Sequence, residues 1–249
     1  MHRAWGKTAG FYKQPIIFRS KEEPMLLKNW MTREIITVTP ETSMMKASKI
    51  LKDQNIHRLP VVEENGKLVG IVSDRDIKDA SPSKATTLDV HELYYLLSEI
   101  KIKDIMTRNP HTINEEATVE KAAVEMMEKK IEGMPVVDNE QKVVGIITDT
   151  DIFKVLIQIT GVYLGGVQMG FKLPNEPGSL KSLLGDLRSH KARIISIQSS
   201  YDDPAPGYRQ VFIRIHDMEK AEENKLSEYL QENYDMLYWV RDNVHLQQT

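Results

Sequence analysis

Hydrophobic and polar positions along the first half of the chain predict short strands and amphipathic helices. Apolar residues recur at helical spacing at Met44, Ala47 and Leu51, which predicts a helix. Residues 59–62 and 68–72 form two short apolar runs separated by a polar turn, a pattern typical of two strands joined by a tight hairpin. A second helix is expected to begin near Ser73, because its hydroxyl can cap free backbone N–H groups.

The same pattern occurs a second time, 75 residues further along and without a gap. When residues 31–77 are aligned with residues 106–152, 18 of the 47 positions are identical. Both copies begin with Met-Thr-Arg, contain Pro-Val-Val and end with Gly-Ile and two aspartates. The chain therefore contains a duplication, and each copy has the predicted order β-α-β-β-α.

This order and these words resemble the cystathionine-β-synthase (CBS) domain in a tandem pair, over about residues 26–157. The resemblance implies an α/β fold in which two units pack as a pseudo-twofold disc with two clefts. Each cleft typically holds an adenosine-containing ligand, such as AMP, ADP, ATP or S-adenosylmethionine. The expected organisation is an extension (1–24), a CBS domain (25–80), a helical insertion (81–101) whose helix starts near Thr87, and a second CBS domain (102–160).

The Ser/Thr-x-x-Asp word at the end of each copy carries the candidate chemistry. The three-residue spacing places Ser73 beside Asp76 and Thr148 beside Asp151 on the first turn of a helix. A carboxylate can accept hydrogen bonds from two vicinal hydroxyls, as a ribose requires. Asp76 and Asp151 are thus the candidate ribose ligands, while plain helix capping is the alternative.

Phosphates require cations, and the two copies differ in them. The first copy carries His57 and Arg58 directly before its Pro-Val-Val strand, and Arg75 is a further candidate. An arginine fork suits phosphate oxygens. The second copy has Glu132 and Gly133 at the matching positions, so we expect the two sites to differ in phosphate preference. A solvated helix end is the alternative for His57 and Arg58.

The resemblance also places an adenine slot between the first strand and the Pro-Val-Val strand of each copy. Every residue it implicates is also an ordinary candidate for the core. The implied residues are Thr37, Val38 and Pro60 in one copy, and Thr112, Ile113, Met134 and Pro135 in the other.

The repeat stops near residue 160, and a different pattern follows. Strands at 167–173, 193–201, 208–216 and 236–241 and helices at 179–189 and 219–233 give the order β-α-β-β-α-β, which is ferredoxin-like. Residues 163–243 resemble an ACT domain, a family that commonly binds amino acids at a shared interface. The resemblance rests on this order and on one loop, and it implies an amino-acid site at Asn175, Pro177, Gly178, Ser179 and Leu180.

The alternative for this region is a dimerisation module without a ligand. A CBS pair followed by an ACT-like domain resembles the bacterial acetoin-utilisation regulatory proteins of the AcuB type. That resemblance implies regulation rather than a reaction. An amino-acid regulator in which the CBS pair is mainly a dimerisation scaffold is the second function that the sequence supports.

Composition narrows the function classes. The 33 Lys and Arg residues and 36 Asp and Glu residues give a formal charge of −3, whereas nucleic-acid binders usually carry a basic excess. The absence of Cys excludes disulfides, thiolate zinc sites and iron–sulfur clusters. The seven His residues lack metal-ligand spacing, and the sequence has no Gly-x-Ser-x-Gly or Walker loop. These features favour a non-catalytic regulator without cofactor or metal.

We further expect a cytoplasmic protein without nucleic-acid or membrane partners, because no apolar run is long enough for a signal peptide or a membrane span. A homodimer or a higher even oligomer is expected, since identical chains most often pair by twofold symmetry. An unidentified enzyme is the expected downstream partner of the adenine-nucleotide sensor.

Overall fold

The computed structural model describes residues 25–81, 98–202, 205–242 and 244. Within them the side chains form three hydrophobic cores, one in each repeat and one in the C-terminal domain. The described chain begins with the four-residue helix α1 (Leu27–Trp30). The N-terminal extension and the insertion helix expected from Thr87 lie outside the described residues.

The first repeat consists of two helices on a small sheet. Helix α2 (Met44–Asp53) buries Met44, Ala47 and Leu51, as their spacing predicts. Strands β1 (Arg58–Val62) and β2 (Leu68–Ser73) pair antiparallel, and α3 (Asp74–Ala80) follows directly. The expected first strand is reduced to a single parallel bridge between Val38 and Val61.

The second repeat repeats this arrangement and adds a short parallel pair. Strand β4 lies parallel to β5, and β5 pairs antiparallel with β6. The elements in chain order are α4 (Ile102–Ile105), β3 (Thr107–Arg108), β4 (Ile113–Asn114), α5 (Val119–Lys129), β5 (Gly133–Val137), β6 (Val143–Thr148) and α6 (Asp149–Thr160).

The two repeats exchange their entry segments. Leu27 of α1 is fully buried in the core of the second repeat, and its N–H donates to the carbonyl oxygen of Ala117 at 2.8 Å. Ile102 of α4 is fully buried in the core of the first repeat, where its N–H donates to the carbonyl oxygen of Thr42 at 2.9 Å. Each core is therefore complete only when the other repeat is present.

The exchange also explains two of the repeated words. Met31 packs against Gly145, and Met106 packs against Gly70, so the Met-Thr entry of each repeat meets the Gly-Ile word of the other. A Cβ at either glycine would overlap the sulfur of the methionine. Glycine is thus required by the close approach of the two repeats rather than by a turn.

The C-terminal domain forms a four-stranded antiparallel sheet with strand order β10-β7-β9-β8. Both helices pack on one face of the sheet, around Phe171, Leu183, Ile213 and Leu226. The observed order is β-α-β-β-α-β, and each element end lies within one residue of its predicted position. The elements are β7 (Val167–Pro174), α7 (Ser179–Ser189), β8 (Ile194–Ser200), β9 (Tyr208–Ile215), α8 (Lys220–Asn233) and β10 (Asp235–Val240).

Candidate ligand-binding clefts

Two clefts lie between the repeats, and each takes its lining from both. Cleft A, of about 650 Å³, combines Ile35, Ile36, His57 and Pro60 of the first repeat with Thr148 and Asp151 of the second. Cleft B, of about 460 Å³, is built from the aligned positions, namely Pro110, His111, Glu132, Pro135, Ser73 and Asp76. Both volumes are in the range of small-molecule sites.

A capping box holds the candidate carboxylate in each cleft. The N–H and the hydroxyl of Ser73 both donate to Oδ2 of Asp76 at 2.7 Å, and the N–H of Asp76 donates to Oγ of Ser73 at 3.2 Å. Thr148 and Asp151 form the same three bonds, at 3.1, 2.7 and 3.3 Å. Capping is therefore present at both positions, and it fixes each carboxylate through Oδ2 while leaving Oδ1 outside the box.

The two carboxylates differ at Oδ1. Oδ1 of Asp151 accepts a hydrogen bond from Nζ of Lys154 at 3.0 Å, and the Asp151 side chain is only 8% exposed. Asp76 is half-buried, and its Oδ1 has no hydrogen-bond partner within the residues that the structure describes. A ribose would thus meet a free oxygen in cleft B and one that already accepts a bond from a lysine in cleft A.

Arg58 lies in the wall that the two clefts share. It lines both, its side chain is 15% exposed, and Nη2 donates to Oε2 of Glu132 at 2.6 Å. Gly133, the residue aligned with Arg58, leaves room for this side chain, because a Cβ there would lie 3.1 Å from Nη1 of Arg58 and 2.9 Å from the carbonyl oxygen of Ile147. The arginine of one repeat and the glycine of the other therefore form one packing arrangement.

His57 and Asp74 lie beside this wall. Nδ1 of His57 is 3.6 Å from Oδ2 of Asp74, and Nζ of Lys78 is 3.2 Å from the same oxygen. Burial by itself raises the pKa of Asp74, but the hydrogen bonds and charges of Lys78 and His57 together outweigh it and hold that pKa below its ordinary value. Asp74 is thus an ionised group in the lining of both clefts.

The structure distributes the predicted cations over both clefts. His57 lines the cleft that contains Asp151, and Arg58 lines both clefts. Arg75 lines cleft B together with Asp76. Because the clefts are composite, a phosphate site cannot be assigned to one repeat.

Only part of the expected adenine slot lines the clefts. Pro60 lines cleft A and Pro135 lines cleft B. Val38, Ile113 and Met134 are instead core residues, with exposures of 5%, 4% and 0%, because the extended chain turns them inward.

Neither Thr37 nor Thr112 is among the residues that line the two clefts. The apolar surface beside the prolines comes from Ile35 and Ile36 in cleft A. In cleft B it includes Pro110. These lining residues lie just before the predicted ones in the sequence.

Several cleft residues were missed by sequence reasoning. Glu34, Asp149 and Lys154 line cleft A, and His111 and Lys130 line cleft B. One available signal was the 75-residue alignment, because it places most of these residues opposite partners that line the other cleft. Lys154 follows Asp151 by three residues, a spacing that predicts contact on a helix.

The candidate amino-acid loop lies at the start of α7, and none of its residues lines either cleft. Asn175 donates its N–H to the carbonyl oxygen of Gly207 at 2.8 Å, and Gly178 has a φ of +99° that favours glycine. Ser179 donates its hydroxyl to the carbonyl oxygen of Glu176 at 3.1 Å. Pro177 is exposed, whereas Leu180 packs partly on the domain core.

Comparison with known proteins identifies the repeated unit. The CBS domain family matches residues 27–83 and 102–158. A CBS domain-containing protein of Dictyostelium discoideum is 33% identical over 135 residues, which are 54% of this chain and 93% of that protein. The chain belongs to the CBS-domain family. Residues 27–158 are thus a tandem CBS pair.

The CBS pair is also similar to part of a longer enzyme. L-aspartate semialdehyde sulfurtransferase of Methanocaldococcus jannaschii is 38% identical over 139 residues, which are 54% of this chain but 25% of that enzyme. The chain therefore spans about a quarter of this relative, and the activity of the whole enzyme is not inferred for it.

Two solved structures are similar to about half of the chain. The CBS domain pair of protein MJ0100, in complex with 5′-methylthioadenosine and S-adenosyl-L-methionine, is 37% identical and covers 53% of this chain and 98% of that chain, with a TM-score of 0.44. A protein assigned to acetoin utilization (AcuB) from Vibrio cholerae is 28% identical and covers 55% of this chain and 93% of that chain, with a TM-score of 0.46.

Within residues 25–81, 98–202, 205–242 and 244, no three His, Asp or Glu side chains are grouped so that they could hold a metal ion. Among the helices of the same residues, none has the length and apolarity needed to cross a membrane.

Proposed function

We propose that this protein is a non-catalytic regulatory sensor that binds adenosine-containing ligands in clefts A and B. The observation that carries the proposal is the duplicated capping box, which fixes Asp76 and Asp151 by Oδ2 in the lining of the clefts and leaves Oδ1 outside the box. An ionised carboxylate has about four acceptor positions, so a boxed carboxylate can still accept bonds from ribose hydroxyls.

The surroundings of each carboxylate suit the rest of an adenosine ligand. Pro60 with Ile35 and Ile36 provides an apolar surface in cleft A, and Pro135 with Pro110 does so in cleft B. Small-molecule sites are typically apolar with a few placed polar groups. The ligands held by the CBS pair of MJ0100, 5′-methylthioadenosine and S-adenosylmethionine, belong with AMP, ADP and ATP in the set to be tested.

The test is a thermal-shift screen of the full chain with these ligands at millimolar concentration, followed by calorimetry. A ligand that binds only the folded state raises the melting temperature by mass action. We expect a rise for the wild type and for the control Asp53→Asn, an exposed aspartate outside both clefts. The rise should vanish in the double variant Asp76→Ala/Asp151→Ala, and equal shifts in all three proteins would contradict the ribose role.

The C-terminal domain supports a second candidate function. Its sheet order β10-β7-β9-β8 and the glycine that opens α7 fit the ACT-like interpretation, in which Asn175, Pro177, Gly178, Ser179 and Leu180 hold an amino acid. The same chain would then be an amino-acid regulator, with the CBS pair as a scaffold. Calorimetry with the twenty amino acids separates the two functions, since Asp76→Ala/Asp151→Ala should leave amino-acid binding unchanged.

The proposal includes a homodimer or a higher even oligomer. Five large apolar side chains on α5 and α6 are exposed, namely Val124, Met127, Phe153, Leu156 and Ile159, and a second copy of the chain would bury them. Light scattering should report at least twice the 28.6 kDa of one chain. A monomer at micromolar concentration, with and without nucleotide, would contradict the oligomer.

The proposed function also includes a location and a partner in the cell. We place the protein in the cytoplasm, upstream of an unidentified enzyme partner, with a link to acetoin or acetate metabolism suggested by the AcuB resemblance. Retention of a specific enzyme on the immobilised full chain, and its release by the bound nucleotide, would support this role.

A further inference from the structure

The charged residues of the two clefts differ at aligned positions. Cleft B carries Lys130 and Arg75 where cleft A carries Asn55 and Thr150, and it carries His111 where cleft A has Ile36. Cleft A alone is lined by Glu34, whose aligned residue is Asn109. These replacements make cleft B more positive and cleft A more negative.

The charged residues that line both clefts do not cancel the difference in charge between the clefts. Arg58, Asp74 and Glu132 line both, and Arg58 is paired with Glu132. The remaining cation of cleft A, Lys154, is paired with Asp151. His57, which also lines cleft A, lies 3.6 Å from Asp74.

Apart from Asp76 of cleft B, which the proposed function assigns to the ribose, the charges without an ion-pair partner have opposite signs in the two clefts. Within the residues that the structure describes, Arg75 and Lys130 of cleft B have no carboxylate within salt-bridge distance. In the same part of the chain, Glu34 and Asp149 of cleft A have no cation within that distance. His111 of cleft B lies 2.7 Å from Glu125.

We propose that the two clefts select ligands by charge: cleft B binds anionic, phosphorylated adenosine ligands, and cleft A binds neutral or positively charged ones such as a sulfonium nucleoside. This inference rests on the proposed function and adds a division of labour between the clefts. AMP carries a phosphate dianion that meets Arg75 and Lys130 in cleft B. The sulfonium and ammonium groups of S-adenosylmethionine meet Glu34 and Asp149 in cleft A.

Exchanging the aligned residues provides the test. The variant Arg75→Thr/Lys130→Asn gives cleft B the residues of cleft A, and Glu34→Asn/Asp149→Asn removes both unpaired acids of cleft A. Lys130 has a φ of +53°, and its counterpart Asn55 has a φ of +52°, so asparagine fits the backbone at position 130. Neither pair of substitutions touches a buried side chain.

Calorimetry with AMP, S-adenosylmethionine and neutral 5′-methylthioadenosine measures the effect. We expect Arg75→Thr/Lys130→Asn to weaken AMP about tenfold, since each exposed charge contributes only a modest Coulomb energy, and to leave S-adenosylmethionine within about twofold. Glu34→Asn/Asp149→Asn should do the reverse. 5′-Methylthioadenosine should change little in either variant, and high salt should reduce both effects.

Single carboxylate variants assign each ligand to its cleft. Asp76→Ala should weaken AMP binding by about 10- to 150-fold and spare S-adenosylmethionine, while Asp151→Ala should do the opposite. The charge selection is overturned if either ligand loses affinity in the carboxylate variant of the other cleft, or if the charge exchanges leave the affinities for both ligands unchanged. Either result leaves the proposed sensor function in place. Failure of all three ligands to bind the wild type overturns the proposed function itself.

Discussion

The two CBS units share a fold and 18 of 47 aligned residues, yet the clefts they form are not equivalent. The core positions, capping boxes and hairpins match, whereas the differences collect at the cleft lining and its shared wall. Arg58 opposite Gly133 is the clearest case, because the side chain of one repeat fills the space left by the other. The duplication thus preserves the secondary-structure elements that position a ligand. It varies the cleft side chains that would determine which ligand binds.

The largest expected effect is on the free energy of unfolding, and it tests the matching hydrophobic cores of the two CBS units. Leu59 and Met134 are aligned, and both are fully buried. Leu59→Ala and Met134→Ala should each lower the free energy of unfolding by about 2–5 kcal/mol, because each leaves a cavity. Lys49→Ala, at an exposed side chain of α2 outside both clefts, is the control and should change it by less than about 0.5 kcal/mol. Chemical denaturation measures all three.

If only one of the two buried variants is destabilised, the cores of the two CBS units are not equivalent. Each core includes the entry helix of the other repeat, through Leu27 and Ile102. We therefore expect a single cooperative transition for the CBS pair in both variants. Separate transitions for the two units would contradict the exchange.

The next effect concerns the carboxylates. Asp76→Ala and Asp151→Ala should each weaken the ligand of its cleft by about 1.5–3 kcal/mol, the range for hydrogen bonds to a charged group. Asp151→Ala should also destabilise the fold more, because Asp151 is buried and its loss leaves Lys154 without its ion pair. Calorimetry and thermal denaturation on the two variants give both numbers. If the two variants are equally stable, the bond from Lys154 to Oδ1 of Asp151 does not make the two carboxylates differ in their contribution to the fold.

A smaller effect on ligand affinity is expected from Arg58, which lies in the wall that the two clefts share. Arg58→Ala should weaken AMP more than adenosine, by about 1 kcal/mol, because the guanidinium is within reach of a phosphate in either cleft. The same variant frees Glu132, so a repulsive carboxylate adds to the loss. Equal losses for AMP and adenosine in calorimetry would exclude a phosphate role for Arg58.

The smallest effect is a pH dependence at Asp74. Its pKa is lowered, so its contribution to stability is present above the pKa of the unfolded chain and is lost as pH falls through the folded value. The Asp74→Asn variant should therefore lose less stability on acidification than wild type, by under about 0.5 kcal/mol because the group is 39% exposed. Asp149→Asn is the matched comparison, since the residue four positions on is Phe153 instead of a lysine. Denaturation between pH 6 and pH 3 measures the difference, and equal curves for the two variants would contradict it.

The sequence was sufficient for the local structure. Helical spacing at Met44, Ala47 and Leu51 located α2, and the Ser/Thr-x-x-Asp word located both capping boxes. These features depend on residues three or four apart. Periodicity and capping chemistry therefore reveal them without knowledge of the tertiary fold.

The features that the sequence did not reveal are long-range. The packing of Met31 on Gly145 joins residues more than a hundred positions apart, and no periodicity reports such a contact. The same holds for the composite clefts, where His57 of one repeat lines a cleft with Asp151 of the other. Val38 and Met134 were assigned to a slot by the family resemblance. Extended segments have two faces, and the structure turns both side chains into the cores.

A crystal structure of the full chain grown with adenosine tests the central claim most directly. The account predicts ribose hydroxyls at hydrogen-bond distance, about 2.5–3.0 Å, from Asp76, Asp151 or both, with the base against Pro135 or Pro60. Adenosine bound elsewhere on the chain, or clefts that stay without it at saturating concentration, would contradict the assignment of these carboxylates as ribose ligands.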